Sequence, residues 1–161
     1  MAIEFKELID SLVEKRVDFV IIGGVALVLH GSSRVTQDLD ICYSRDPENL
    51  ERLAAALLPF RPSLRGASPG LPFTLDARTL HSGLNFTLTA LPGDIDILGE
   101  VAGVGGYEQV AADAVSMEVY GHPVQVMSLS ALERAKQAAG RLKDLADLDE
   151  IKTLRKRLSP P

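Results

Sequence analysis

Tryptophan is absent from the 161 residues, cysteine occurs once, at Cys42, and aromatic side chains make up only 5% of the chain. A single cysteine closes no intrachain disulfide, so the fold must rest on noncovalent packing, and the composition suits a reducing compartment. No apolar run approaches the ~20 residues that a membrane-spanning helix requires. The longest, Phe19 to Leu29, is shorter and is interrupted by Gly23 and Gly24. The opening segment MAIEFKELIDSLVEKR spreads acidic residues along its length and lacks the basic-then-apolar order of a signal peptide. A cytoplasmic chain with no membrane partner is expected. Internal repeats are also missing.

What is present is an ordinary globular composition. Hydrophobic residues make up 46% and charged residues 24%, a balance that excludes disordered, collagenous and coiled-coil chains. The length fits one domain, 1–161, around one core. The net charge of -5 argues against a protein that simply coats nucleic acid. Within it, the span from Arg134 to Arg157 holds eight basic and four acidic residues, which makes 130–158 a basic C-terminal helical segment beside an acidic body. Such a segment permits a phosphate-bearing partner, although solvation of a surface helix produces the same pattern.

Periodicity assigns the elements. Phe5, Leu8, Ile9, Leu12 and Val13 recur at helical spacing up to about Arg16. Asp18 to Ile22 reads as a buried strand, Gly23-Gly24 as a turn, and Val25 to His30 as a helix stopped by Gly31. A strand at Leu39 to Tyr43 and a helix at Pro47 to Leu58 follow, and Pro59 ends the helix. The proline, glycine and serine content of 61–72 predicts a loop. Leu84, Phe86 and Leu88 alternate with polar residues in a strand that turns at Pro92-Gly93 into a second strand, Asp94 to Leu98. Beyond lie a short helix from Tyr107 to Ala114, two strands, Val115 to Tyr120 and Pro123 to Met127, joined around Gly121, and two final helices. Ser130 with Glu133 predicts a capping box for the first of these, ending near Gly140, and Asp144 to Leu158 forms the second. This order gives an α/β (α+β) chain with a mixed, twisted sheet flanked by helices.

The chemistry concentrates in GGVALVLHGSSRVTQDLDI, Gly23 to Ile41. Asp38 and Asp40 stand two apart on a predicted strand, so both carboxylates share one face while Leu39 and Ile41 face the core. Paired carboxylates repel and call for solvent or a cation, and hard oxygen donors suit Mg²⁺. Asp94 and Asp96 repeat the pattern between Ile95 and Ile97. Three convergent carboxylates can hold two Mg²⁺ ions ~3.5–4 Å apart, a clamp for phosphoryl displacement. The Gly23-Gly24 turn lets backbone approach a polyphosphate, with free N–H groups of the following helix directed at it. His30, His81 and His122 show no ligand spacing, and Cys42 reads as a small buried hydrophobe. For Arg61 and Arg65 in the proline-rich loop, solvation is favoured over contact with a substrate.

A glycine pair followed, after 13 intervening residues, by Asp-x-Asp on a strand resembles the signature of the nucleotidyltransferase superfamily related to DNA polymerase beta. More narrowly, GG-x-A-x-x-x-H-G-x-x-R-x-T-x-D-x-D, the later GDIDIL, and K-x-x-x-x-R-x-K-D-x-x-D-L from Lys136 to Leu148 resemble the AbiEii-like nucleotidyltransferase toxins and their relatives. That resemblance implies a single nucleotidyltransferase domain and a Mg²⁺-dependent enzyme moving an NMP from an NTP, such as ATP, to an acceptor hydroxyl. It makes Asp38, Asp40 and Asp96 metal ligands, with Asp96 also the general base and Asp94 the weaker candidate. Gly23, Gly24, Ser32, Ser33, Arg34, Thr36, Lys136 and Arg141 would form the nucleotide site, with Lys136 on the phosphates and Arg141 paired to Asp144 or reaching the substrate. Where the superfamily often has serine after the glycine, this chain has Val25, so a hydroxyl contact to phosphate falls to Ser32 or Ser33. A toxin of this kind implies a tRNA acceptor and a cognate antitoxin protein. A small-molecule transferase of the antibiotic-inactivating type, or a noncatalytic nucleotide- or partner-binding module, are the alternatives.

Overall fold

The computed structural model describes residues 5–68 and 70–158; the expected domain bounds at 1 and 161 and Pro69 of the proline-rich loop lie outside the described residues. Seven strands form one mixed sheet. At its centre β1 (Phe19–Ile22) runs antiparallel to β2 (Asp38–Tyr43), which lies parallel to β5 (Gly93–Leu98). The sheet continues through β4 (Asn85–Ala90) to β3 (Ser63–Leu64) on one side. On the other it continues through β9 (His122–Val126) to β8 (Val115–Val119). A separate two-stranded ribbon pairs β6 (Glu100–Val101) with β7 (Gly105–Gly106).

The central strands form where apolar side chains leave no alternative to burial. All four residues of β1 are buried, and Leu39, Ile41, Ile95 and Ile97 are fully inaccessible, so the alternation of β2 and β5 fixes which face their acids occupy. Helix α1 (Lys6–Glu14) buries Leu8, Ile9 and Leu12 and packs against α3 (Pro47–Leu57), which opens with proline in its first turn. Buried Asn49 of α3 ties the edges of β1 and β2: its amide donates to the carbonyls of Asp18 and Ser44 at 3.1 and 2.8 Å, and its oxygen accepts from Asp18 N–H at 2.7 Å. Every polar atom of that buried amide is engaged, as burial requires.

Several expectations need correction. The first glycine belongs to the helix rather than to a turn before it: α2 spans Gly23–Leu29, and Gly23 at φ +64° takes the chain from strand to helix with no loop between. The proline-rich segment contains β3, and an unpredicted helix α4 (Ala77–Ser82) follows, started by the Asp76 carboxylate accepting from Thr79 N–H at 2.8 Å. Helix α5 (Tyr107–Ala112) ends two residues early. The cap of α6 (Leu129–Ala139) is Ser128, whose Oγ accepts from Ala131 N–H, whereas Ser130 takes a bond from Arg134 and Glu133 pairs with Arg155. The last helix, α7 (Leu142–Leu158), begins two residues before the expected Asp144 and packs against α6. The β8–β9 turn is Tyr120-Gly121, both at positive φ (51° and 85°), the twist that a two-residue hairpin favours.

Candidate functional site

Parallel pairing of β2 with β5 sets Asp38 beside Asp94 and Asp40 beside Asp96. Four carboxylates therefore line one face of two neighbouring strands, over a layer of isoleucine and leucine. One oxygen each from Asp38, Asp40 and Asp96 lies within 4.8 Å of the other two, a spacing that a metal ion can bridge. Asp94 is outside this group.

Asp40 is the most strained of the set. Burial, followed by repulsion from Asp38 and Asp96, pushes its carboxyl up to about 8, and Asp40 Oδ1 is buried with no hydrogen-bond partner. Burial also raises Asp96, against the opposing pull of Arg65. An orphaned carboxylate oxygen beside two like charges is a costly arrangement, and a bound cation relieves it. The donor set, all carboxylate oxygen, fits Mg²⁺.

The glycines serve this cluster. A Cβ on Gly23 would overlap Asp40 Oδ2, and one on Gly24 would stand 2.9 Å from Thr36 Cγ2. The first glycine thus makes room for a carboxylate, and the second lets the 34–37 strap close on α2. Gly23, Gly24, Arg34, Thr36 and the three acids share a cavity of about 500 Å³ with Lys136 of α6, Asp147 of α7 and Arg141 of the link between these helices. Ser32 and Ser33 are not among its lining residues; Ser32 Oγ accepts from Arg34 N–H at 3.1 Å instead.

The basic residues on the cavity wall are anchored by acids. Lys136 Nζ lies 2.8 Å from Asp147 and 3.4 Å from Asp144. Arg34 pairs with Asp147 and, at 3.3 Å, with Glu150. Arg141 reaches Asp144 through Nε at 2.8 Å and through its own backbone N–H at 3.0 Å. These bonds, Arg141's first, hold the buried Asp144 carboxyl down at about 2. Cys42, by contrast, has its thiol pushed up to about 12 by burial, which leaves it inert.

Two residues of the site escaped the sequence reading. Asp147 stands within the Lys136–Leu148 motif, but no spacing argument reveals that it bridges Lys136 to Arg34, 113 positions earlier in the chain. Arg65 is the larger correction. It is half-buried and ion-paired rather than freely solvated: its guanidinium sits among the acids, 2.8 Å from Asp96 and 3.2 Å from Asp94. Its placement follows from the two-residue strand β3, too short to announce itself in a proline- and glycine-rich stretch.

Neither a protein-family model nor a curated protein matches the chain. Solved structures do. The lincosamide antibiotic adenylyltransferase LnuA, with lincomycin bound, superposes with a TM-score of 0.60 at 15% identity over 96% of this chain and 99% of its own. The antibiotic-resistance factor ANT(2'')-Ia gives 0.57 at 14% identity, covering 95% and 88%. An antigenic nucleotidyltransferase-like protein from Paracoccidioides brasiliensis gives 0.56 at 18% identity, covering 97% and 76%. The chain has the nucleotidyltransferase fold.

Proposed function

We propose that this chain is a metal-dependent nucleotidyltransferase that moves an NMP from an NTP to the hydroxyl of a small molecule. The observation that carries this reading is the convergence of Asp38, Asp40 and Asp96 within 4.8 Å on adjacent strands of a nucleotidyltransferase fold. The three carboxylates would hold one or two Mg²⁺ ions, which when bound supply the positive charge that a phosphoryl group in transfer requires. Asp96, its proton affinity raised by burial, accepts the proton of the acceptor hydroxyl. The hydroxyl oxygen then bonds to the α-phosphorus as the bond to pyrophosphate breaks. Lys136 and Arg34, pinned by Asp147 on the cavity wall, present positive charge toward the phosphates in a fixed geometry, and positioning of this kind is most of what such a reaction asks of a protein.

The choice of a small acceptor rests on the structural neighbours rather than on the charge pattern. In the 130–158 segment, Lys136 and Arg141 face Asp144, Arg155 faces Glu133 and Arg134 lies 4.0 Å from Asp113. Lys143, Lys152, Lys156 and Arg157 of the same segment are exposed and have no ion pair among the described residues, so charge alone does not decide between a small acceptor and RNA. LnuA and ANT(2'')-Ia are by name an antibiotic adenylyltransferase and an antibiotic-resistance factor, and neither name describes a toxin with an antitoxin partner. Incubation with each α-labelled NTP, Mg²⁺ and a panel of hydroxyl-bearing small molecules, lincosamides included, should move label onto a small molecule. Label appearing in total RNA instead would overturn the acceptor class, and no transfer from any NTP would overturn the activity.

A further inference from the structure

One cation stands inside the acid cluster. Strand β3 pairs with β4 through Ser63 with Thr89 and Leu64 with Leu88, and Arg65 N–H continues the ladder by donating to Thr87 O at 3.0 Å. From this fixed base the Arg65 side chain crosses β4. One terminal nitrogen donates to Leu88 O at 2.7 Å and to Asp96 Oδ1 at 2.8 Å, the other lies 4.0 Å from Asp38 Oδ2, and Nε stands 3.2 Å from Asp94 Oδ2. Two of the carboxylates it reaches, Asp38 and Asp96, belong to the three that could hold a metal.

We infer that Arg65 shares Asp38 and Asp96 with the metal and thereby lowers the site's affinity for divalent cations. The inference rests on the metal-site reading above. A carboxylate oxygen that accepts a charged hydrogen bond at 2.8 Å has less electron density to give an ion, and a fixed positive charge a few ångströms away repels one. The backbone ladder prevents Arg65 from retreating with its loop, so the competition is built into the sheet. Arg61, four residues earlier in the same segment, has no ion pair among the described residues, which makes it the control for charge alone.

Mn²⁺ titrated calorimetrically into wild-type protein, R65Q, R65K and R61Q at low salt separates the cases. R65Q should bind at least about tenfold more tightly than wild type, while R61Q stays within about twofold. R65K keeps the charge and should stay near wild type even if R65Q folds poorly. In chelator, R65Q should melt below R61Q, and saturating Mn²⁺ should close that gap. Equal or weaker Mn²⁺ binding by R65Q, with wild type binding normally, overturns the role of Arg65 and leaves the metal site standing. Absence of Mn²⁺ binding in every variant overturns both.

Discussion

Two groups of charges face each other across one cavity, and they are assembled on opposite terms. On β2 and β5, four aspartates meet one arginine, Asp40 Oδ1 has no partner, and the Asp40 carboxyl is pushed up to about 8. On α6 and α7, Asp144 and Asp147 are matched by Lys136, Arg141 and Arg34, and the Asp144 carboxyl is held down at about 2. Exposure is mixed in both, with Asp94 38% and Arg141 57% exposed at the side chain and Asp144 1%, so burial alone does not distinguish them. Compensation does. The helical network balances its charges within the chain, with Arg34 Nε its one buried polar side-chain atom lacking a hydrogen-bond partner among the described residues, and it holds Lys136 and Arg34 in place, whereas the strand cluster carries an excess of one sign that a stable fold has no reason to keep unless a ligand completes it.

The sharpest way to break the comparison is to remove charge from the uncompensated side. Asp38→Asn and Asp40→Asn should each lower turnover by at least about 10³-fold while leaving the metal-free protein as stable as wild type or more so, because each relieves a mutual repulsion. Turnover assays beside urea midpoints check both halves. A variant that stays active, or one that loses its fold along with its activity, would place these acids in the structural class. Next in size is the contrast between Asp96→Asn and Asp94→Asn. An amide cannot take the acceptor's proton, so the first should cost roughly 10²- to 10⁴-fold in turnover and the second far less. The reverse order would mean that the wrong strand position has been assigned to the base.

The two groups were not equally legible in the sequence. Alternation in DLDI and DIDI places each pair of acids on one face of its own strand because isoleucine and leucine must be buried, a constraint that acts locally and with period two. The parallel pairing of Asp38 with Asp94 was not so accessible, since it depends on which strands neighbour each other. The partners of Lys136 and Arg34 depend on how α7 crosses the 34–37 strap, and no local pattern encodes a contact over more than a hundred residues. Arg65 was hidden by its setting: proline, glycine and serine around it signal a loop, while the short strand that delivers it is held by pairing with β4. The cap of α6 shows the same limit on a smaller scale. Ser128 and Ser130 both suit the position, and it is Ser128 whose Oγ receives the Ala131 N–H.

On the compensated side, Asp144→Ala should cost about 1–2 kcal/mol of stability. It strips the partner from Arg141 and one of two partners from Lys136 in a part of the molecule where the carboxylate is fully inaccessible. The loss should appear as a lower urea midpoint at unchanged slope. Turnover per folded molecule should fall much less than in the strand variants, since Asp147 still holds Lys136. If Asp144→Ala instead abolished turnover at full stability, Asp144 itself would act in the chemistry rather than in holding Arg141 and Lys136, and the division between the two groups would fail.

The pH dependence of stability tests the same division, since the two groups should act on it in opposite senses. Asp144, with a folded value of about 2 against ~3.9 unfolded, contributes stability that is complete above ~4 and is lost as the pH falls toward 2. Asp40, with a folded value of about 8, contributes stability below ~4 that is lost as the pH rises toward 8, where the buried carboxyl must ionise beside Asp38 and Asp96. Each slope is limited to about 1.4 kcal/mol per pH unit for one group. Urea midpoints of the wild type in chelator between pH 3 and 9 should therefore fall on both sides of a maximum near pH ~4, the alkaline fall running up to about pH 8. Asp40→Asn should flatten the alkaline fall and leave the acid one, Asp144→Asn should do the converse, and saturating Mg²⁺ should flatten the alkaline fall in the wild type because the cation favours the ionised carboxylate. An alkaline fall that survives Asp40→Asn would show that the strand cluster is not the seat of the stored repulsion.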